Sequence, residues 1–505
     1  MLEKAALNYG KKVAVVSANR CLSYQELDEY SNKIADYFIE LGISKGDRIA
    51  ILLPNSLEYT VLFFGIIKAG GIAVPLDIKY KDYELTSLLE HCQPTMLISD
   101  TAYLEPIRPL LHRFSFIKHV MDIRGDSQWQ VHGYQQIIGS CSPQPVALAL
   151  EPEDTAVIAY TSGPAFHPHG VVLTQCNLVT EARISTAGFQ QTDKDISVLF
   201  ALPLHHVFGL VGILLTAIYC GSKLIIVPGL SLSSLLETIA TEKVTVFMGV
   251  PYVYTLFINM AQNDGIASNL SSVRLWGSSG APLSEVVASG FKKYFGKDLI
   301  NFYGLSEASC HITCPPLNGM EGTDSVGKAL PGWEIKIIDD DGHELPAHCN
   351  GEILVRGIPI MKGYYHNTED TTRVLKNGWL HTGDIGRMDN DGYLFITGRK
   401  KDMIIRKGQN IYLSDIEYLL RKHPKVADVA VVGTLDATRG EELKAIVVLE
   451  KDATATEQEM KQFCLEHIAS YKVPRHIIIM DSLPRTASGA VDKNSLQDLM
   501  TFTSQ

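Results

Sequence analysis

The chain has 505 residues with an ordinary globular composition, and its formal net charge is −11. A chain of this length is too long for one compact core, so at least two domains are expected. The acidic balance and the lack of a Lys/Arg cluster argue against a nucleic-acid partner. Nine scattered cysteines argue against a disulfide framework and favour a reducing, cytoplasmic setting.

Neither the N-terminal segment nor the longest apolar run indicates a membrane protein. Residues 1–16 lack the apolar core and small-residue cleavage site of a signal peptide. The longest apolar run, 207–220, is too short to span a bilayer. We therefore predict a buried helix over that run and no membrane span.

The first eighty residues read as alternating helix and strand. Ser23 and Glu26 form a capping box at the start of an apolar-periodic helix that ends at Gly42. Residues 49–53 are an all-apolar run, which is typical of a strand buried on both faces, and a second strand is predicted over 72–74. Strand, helix and strand at this spacing indicate a parallel sheet with a crossover helix.

The middle of the chain repeats this α/β texture, and a smaller α+β unit follows it. The middle strands are predicted at 156–160, 171–173, 197–201, 223–227 and 244–248. In the final unit, Ser414 and Glu417 suggest a capping box. The other elements predicted there are strands at 429–432, 443–449 and 476–480 and a helix at 457–467. We place the domains at 1–398 and 399–505.

A first motif follows the strand at 156–160. Thr161, Ser162 and Gly163 open a loop whose hydroxyl and N–H groups are of the kind that cradle phosphates. Taken alone, an ordinary tight turn explains this loop as well.

Three further motifs bear on nucleotide chemistry. Tyr303 offers a ring for a purine, and Glu307 offers a carboxylate for magnesium. Asp384, after a strand-to-turn glycine at the end of the segment 378–384, is suited to ribose hydroxyls. The fourth motif begins at Gly398 and continues to Ile411.

Together these motifs resemble the acyl-adenylate-forming (ANL) superfamily, which includes the AMP-dependent acyl-CoA synthetases, the adenylation domains of peptide synthetases and the luciferases. The resemblance runs from about Tyr24 to Leu496 and is most specific over residues 351–417. It implies an α/β protein with a large N-terminal domain of parallel or mixed sheets flanked by helices. A small, mobile α+β C-terminal domain is implied to follow.

The resemblance also implies an activity and its cofactors. Such enzymes convert a carboxylic acid and ATP to an acyl-AMP with Mg²⁺, and then pass the acyl group to a thiol. The thiol belongs to coenzyme A or to the phosphopantetheine of an acyl carrier protein; a homodimer is compatible with this activity. Lys401 falls at the hinge about which the C-terminal domain swings between the two steps.

Residue by residue, the resemblance assigns the following roles. Tyr303 lies against adenine and Glu307 binds magnesium, with Ser306 near the phosphates. Asp384 and Arg399 bind the ribose, and Gly408 lines the pantetheine tunnel. His206 lies beside the acyl group, although a hydrogen-bonded core histidine is the alternative there. The other side of the adenine is lined by Gly280, Ala281 and Pro282.

The phosphate loop departs from the family pattern, which reads Thr-Ser-Gly-(Ser/Thr)-Thr-Gly, a variable residue, and Pro-Lys-Gly. Pro164 has no N–H to donate, and Ala165 has no hydroxyl. Phe166 replaces a glycine, and His169 replaces the lysine. Donors, backbone freedom and positive charge therefore all decrease where the β- and γ-phosphates are bound in the family.

A second departure lies near the C-terminus. Residues 484–489 match the last motif of the family, but Ala490 stands where the family has a catalytic lysine. Loss of one such preorganised charge typically costs roughly a hundred- to a thousandfold in rate. Lys493 is three residues further along and is not expected to point the same way.

Three hypotheses remain open on the sequence. The chain is an acyl-activating ligase with impaired ATP handling, or an ATP-independent enzyme that transfers a preformed acyl-thioester or acyl-adenylate. The third is a non-catalytic pseudoenzyme that binds a nucleotide, an acyl group or a partner protein. The first two are weighted about equally, and the identity of the acid is not predicted.

Overall fold

The computed structural model describes residues 1–125, 131, 133–160, 169–229, 231–263, 269–317, 325–399, 403–406, 409–436, 440–484, 491, 493 and 496. The chain forms two compact units, and each has its own hydrophobic core. The larger unit is built from Met1–Ile78, Cys92–Thr161 and Gly170–Lys400. The smaller is built from Lys79–His91, a short stretch that ends at His169, and Lys401–Gln505. The predicted α/β class, with a large N-terminal sheet domain and a smaller C-terminal one, is confirmed.

Two seven-stranded mixed sheets form the frame of the larger unit. The first runs, in spatial order, through Ile300–Asn301, Leu275–Ser278, Val246–Gly249, Ile196–Leu199, Lys223–Ile226, Val13–Ser17 and Arg20–Ser23. The second runs through Gly363–Tyr364, Gly170–Thr174, Thr155–Tyr160, Ile72–Pro75, Arg48–Leu52, Met96–Ser99 and His119–Asp122. Most neighbours are parallel, and the central strands are mostly apolar and buried, as expected for sheets that are covered on both faces.

Two smaller antiparallel sheets complete the strands described in the larger unit. One contains Tyr303–Leu305, Cys310–Cys314 and Lys328–Ala329. The other contains Glu334–Ile338, Gly351–Arg356, Trp379–Met388, Leu375–Lys376 and Leu394–Arg399. These two sheets carry Tyr303 and Asp384, which the sequence analysis predicts to bind the nucleotide.

The helices of the larger unit cover the sheets. The helices described are Leu2–Tyr9, Tyr24–Glu40, Leu57–Lys68, Thr101–Leu111, Tyr134–Ser140, Gln175–Gly188, Phe208–Leu215, Thr216–Cys220, Leu232–Glu242, Pro251–Asn263, Glu285–Phe295, Ser306–Ala308 and Thr368–Val374. The predicted capping box is confirmed, since Ser23 Oγ accepts from the Glu26 N–H and a Glu26 carboxylate oxygen accepts from the Ser23 N–H.

The predicted buried helix over 207–220 is present, but its first part is a π-helix. All residues of Phe208–Leu215 are buried, and Thr216–Cys220 continues as α-helix. A Cβ on Gly212 would lie 2.7 Å from His311 Cε1 and 2.9 Å from Cys310 Sγ, so only glycine fits at this approach. π-Helical turns are rare and occur frequently at functional sites.

The smaller unit contains a five-stranded sheet and short helices. Its strands are Gln409–Tyr412, Met403–Arg406, Gly440–Leu449, Val426–Asp436 and His476–Ile479, and its helices are Asp82–Cys92, Leu413–Arg421, Glu457–His467 and Ser470–Lys472. The strand Val426–Asp436 is longer than predicted because it pairs along its whole length with Gly440–Leu449.

The predicted capping box of Ser414 and Glu417 is wrong. The helix starts at Leu413, so Ser414 lies inside its first turn, and the N-cap residue Tyr412 makes no side-chain cap. Glu417 Oε1 instead accepts a 2.9 Å hydrogen bond from the Val431 N–H and lies 2.9 Å from Lys493 Nζ. Leu413, the first residue of this helix, is buried in the core of the smaller unit.

A buried ion pair joins the first and last parts of the smaller unit. Lys472 Nζ lies 2.6 Å from Glu84 Oε1, and both side chains are at most 5% exposed. Glu84 Oε2 also accepts hydrogen bonds from the N–H groups of Lys81 and Ala469. The pair is therefore desolvated and fully hydrogen-bonded on the carboxylate side.

Replacing Glu84 with glutamine is expected to lower the free energy of unfolding by about 3–5 kcal/mol, because Lys472 would remain buried without a counter-ion. Denaturant unfolding followed by circular dichroism measures this loss. Glu334→Gln is the matched control, since Glu334 pairs with Arg356 on an exposed face and no measurable change is expected. Equal effects of the two substitutions would contradict the structural role given to the buried pair.

Candidate active site

The candidate adenine site is built where two strands end close together. The Phe302 N–H donates to Ser278 O over 2.8 Å, and Ser279 Oγ donates to Phe302 O over 3.1 Å. These bonds hold the turn that starts the Gly280–Ala281–Pro282 stretch against the segment that leads into Tyr303. Gly280 has a φ of +78°, which favours glycine. The residues predicted to line the two sides of the adenine are thereby brought together.

Asp384 is held in place by a bulge in its strand. It lies inside the strand Trp379–Met388 and not after a strand end, as the sequence suggested, because this strand continues to pair with Leu394–Arg399. Gly383 has a φ of +73°, and its N–H donates to Glu352 Oε1. The Asp384 N–H donates to Thr382 Oγ1. A bulge of this kind re-aims a side chain.

The two predicted nucleotide contacts, Tyr303 and Asp384, touch each other. The Tyr303 hydroxyl donates to Asp384 Oδ2 over 2.7 Å. Arg399 lies opposite Asp384 in the strand register, although its side chain is outside the described part. The Tyr303 ring and the Asp384 carboxylate are therefore adjacent, an arrangement that suits a purine base joined to a ribose.

Glu307 lies in a buried 3₁₀ turn, Ser306–Ala308, directly after Tyr303–Leu305. Its carboxylate Oε1 accepts a 2.8 Å hydrogen bond from the Tyr364 hydroxyl. Ser306 opens the same turn and is 7% exposed. A carboxylate held in this way fits a divalent cation, whose ligands are oxygens.

His206 follows a turn that is fastened to the helix Leu57–Lys68. The Asn55 amide pairs with Leu202 O and the Leu204 N–H, each over 2.8 Å, and the Tyr59 hydroxyl donates to Leu204 O. His206 Nδ1 accepts from the Phe208 N–H over 3.2 Å. Burial and, to a smaller extent, neighbouring His205 lower the pKa of His206 to about 4, with Glu307 acting in the opposite direction. His206 is therefore neutral near pH 7.

Several predicted site residues lie outside the described residues. They are Thr161, Ser162, Gly163, Lys401, Gly408 and Ala490. Their roles stay predictions from the sequence. Lys493, the one lysine between residues 491 and 505, is described, and its Nζ lies 2.9 Å from Glu417 Oε1.

Sequence reasoning missed a buried polar cluster behind the site. Ser185 Oγ donates to Glu181 Oε1 over 2.9 Å and lies 3.0 Å from His311 Nδ1, and all three residues are fully buried. Burial raises the pKa of Glu181 to about 8 and lowers that of His311 to about 3. Both side chains are thus uncharged at neutral pH, and the ring of Phe208 contacts His311 in an edge arrangement.

Glu181→Gln is expected to stabilise the protein in a pH-dependent way. Because the folded pKa of Glu181 is raised from 4.5 to about 8, its contribution is most favourable below pH 4.5 and is lost as the pH rises to 8. The free energy of unfolding of the variant, relative to that of the wild type, should therefore increase by up to a few kcal/mol as the pH rises from 5 to 8. Unfolding measured at both pH values tests this, and a constant difference would contradict it. Stability lost through His311 protonation below pH 6.5 should be the same in both proteins.

Comparisons with known proteins identify the family to which this fold belongs. A family model described as AMP-binding enzyme matches residues 2–365, and its C-terminal domain model matches residues 415–490. The chain belongs to this AMP-binding family of adenylate-forming ligases, as the sequence predicted.

Individual relatives include acyl-CoA ligases. The chain is 31% identical to the long-chain-fatty-acid–CoA ligase of Escherichia coli O6:H1, over 99% of this chain and 93% of that protein. Among solved structures, it is similar to the o-succinylbenzoate CoA synthetase of Bacillus subtilis (28% identity, TM-score 0.88, covering 98% of this chain and 97% of that one). It is also similar to the amide bond synthetase McbA of Marinactinospora thermotolerans (26% identity, TM-score 0.89, covering 99% of each chain).

Within the described ranges, every helix is too short or too polar to cross a membrane.

Proposed function

We propose that this chain forms an acyl-AMP from a small carboxylic acid and ATP, and passes the acyl group to the thiol of coenzyme A or of a carrier protein. The single observation that carries this proposal is the hydrogen bond between Tyr303 and Asp384, with Glu307 in the turn directly after the strand of Tyr303. These residue types in this arrangement suit adenine, ribose and a divalent cation.

The roles of the individual residues follow from their contacts. Tyr303 stacks on adenine, facing the Gly280–Ala281–Pro282 turn, and its hydroxyl orients the Asp384 carboxylate for the ribose hydroxyls. Glu307 would hold Mg²⁺, which neutralises charge on the phosphates when bound. Neutral His206 lies where it would line the acyl site without attracting the carboxylate electrostatically.

The adenylation step is proposed to be slow in this chain. Ala490 supplies no charge, and Pro164, Ala165, Phe166 and His169 supply fewer donors than the family loop. Lys493 does not compensate, since it is engaged by Glu417. Weak binding of the β- and γ-phosphates beside an otherwise kept nucleotide site is the expected outcome.

Pyrophosphate release with ATP, Mg²⁺ and a panel of carboxylic acids tests the proposal. Slow release that depends on one class of acid is expected. Absence of release with every acid, together with transfer from a preformed acyl-AMP, would replace the proposal with ATP-independent acyl transfer. Absence of both reactions would favour a non-catalytic binding protein.

A further inference from the structure

Glu307 is a buried carboxylate that needs a partner to hold it. It is 7% exposed, and carboxylates are rarely buried unless they are paired. Among the described residues, the only side chain that donates a hydrogen bond to it is Tyr364, whose hydroxyl lies 2.8 Å from Oε1. Among the same residues, no group donates a hydrogen bond to Oε2. Oε2 is also not one of the fully buried side-chain atoms that lack a partner. One oxygen is thus fixed and the other is available.

Tyr364 is itself rigidly placed. Its strand, Gly363–Tyr364, pairs antiparallel with Gly170–Thr174 in the register Tyr364 opposite Val171. The Tyr364 N–H donates to Thr371 Oγ1 over 2.8 Å, and the side chain is buried. The hydroxyl position is therefore set by backbone pairing and not by a flexible loop.

The segment 359–364, which contains Tyr364, also forms hydrogen bonds with the turn that contains Glu307. The Met361 N–H donates to Glu307 O over 2.8 Å, and Ser309 Oγ donates to Pro359 O over 2.6 Å. The Asn177 amide in turn donates to the carbonyls of Ile358 and Ile360. Carboxylate and backbone of Glu307 are consequently both fixed by residues 359–364.

We infer that Tyr364 is a positioning residue that fixes Glu307 Oε1, so that Oε2 is presented to the divalent cation of the bound nucleotide. The inference rests on the proposed role of Glu307. The strand that carries Tyr364 pairs with Gly170–Thr174 within the larger unit.

The test is Tyr364→Phe, which removes the hydroxyl and keeps the ring. The affinities of the full chain for Mn²⁺·ATP and for ATP in EDTA are measured by calorimetry, and their ratio gives the contribution of the cation. Orienting partners of metal ligands typically contribute 10- to 100-fold to metal affinity, so a fall of about tenfold in this ratio is expected. The affinity for metal-free ATP should not change.

Two further variants make the test decisive. Tyr365→Phe is the matched control. Tyr365 is the next residue along, and its N–H donates to Gly170 O beside the same strand pair, but the hydroxyl that contacts Glu307 belongs to Tyr364. Glu307→Gln should remove the advantage of Mn²⁺ altogether. If the wild type gains from Mn²⁺ and Tyr364→Phe gains equally, the inference is overturned while the proposed function stands. If the wild type gains nothing, the proposed role of Glu307 fails and the inference fails with it.

Discussion

Replacing Ala490 with lysine is expected to raise the rate of acid-dependent pyrophosphate release by about a hundred- to a thousandfold. The reason is electrostatic: in the family pattern this position supplies a lysine to the substrate carboxylate and the α-phosphate, and one preorganised charge at a reacting centre contributes on this scale. The substitution leaves the described nucleotide residues untouched. Stopped assays of pyrophosphate with the acid panel measure the change.

Controls for the Ala490 experiment separate charge from side-chain length. Ala490→Met adds a long, uncharged side chain and should leave the rate near that of the wild type. A second background restores the loop with Pro164→Ser, Ala165→Thr, Phe166→Gly and His169→Lys. No rise with lysine in either background would contradict the view that two local losses limit ATP chemistry.

Replacing Asp384 with alanine is expected to weaken AMP binding about a hundredfold or more. Hydrogen bonds to charged groups contribute about 1.5–3 kcal/mol each, and the ribose offers two hydroxyls to this carboxylate. The substitution also leaves the Tyr303 hydroxyl without the acceptor described above. Calorimetry with AMP measures the loss.

The control for Asp384 is Asp391→Ala, which removes an exposed carboxylate from the turn that follows the same strand. Its AMP affinity should equal that of the wild type. Tyr303→Phe adds a graded test, because it keeps the ring and removes only the hydroxyl, and a smaller loss than with Asp384→Ala is expected. Full AMP affinity in Asp384→Ala would contradict the assignment of the ribose site.

The regular parts of the fold could be predicted from the sequence because local signals agreed with tertiary packing. The helix Glu457–His467 was predicted at its observed bounds, and the all-apolar strands near residues 49–53 and 72–74 are parallel neighbours. The capping box at Ser23 is present as well. In each case periodicity and burial favour the same structure.

Predictions failed where long-range contacts override local patterns. Glu417 looked like a capping residue, but its carboxylate is taken by Val431 and Lys493, which are distant in sequence. The Glu84–Lys472 pair lies within the smaller unit and joins residues 388 apart, a contact that no local spacing reveals.

The site was predictable by motif but not by its supporting residues. Tyr303, Glu307 and Asp384 came from family motifs, whereas the hydroxyl of Tyr303 on Asp384 and that of Tyr364 on Glu307 are visible only in three dimensions. Tyr364 did carry a signal, since it lies within residues 351–417, where the family resemblance is most specific. Glu181 carried none, because a lone helical glutamate usually faces solvent.

The most direct test of a kept nucleotide pocket with weakened phosphate handling is to compare the affinities of the wild-type chain for AMP and for Mg²⁺·ATP. If Tyr303 and Asp384 supply most of the binding, the two affinities should agree within a few-fold. The loop-restored chain should then prefer Mg²⁺·ATP. A wild type that binds Mg²⁺·ATP a hundredfold more tightly than AMP, or that does not bind AMP, would contradict the account.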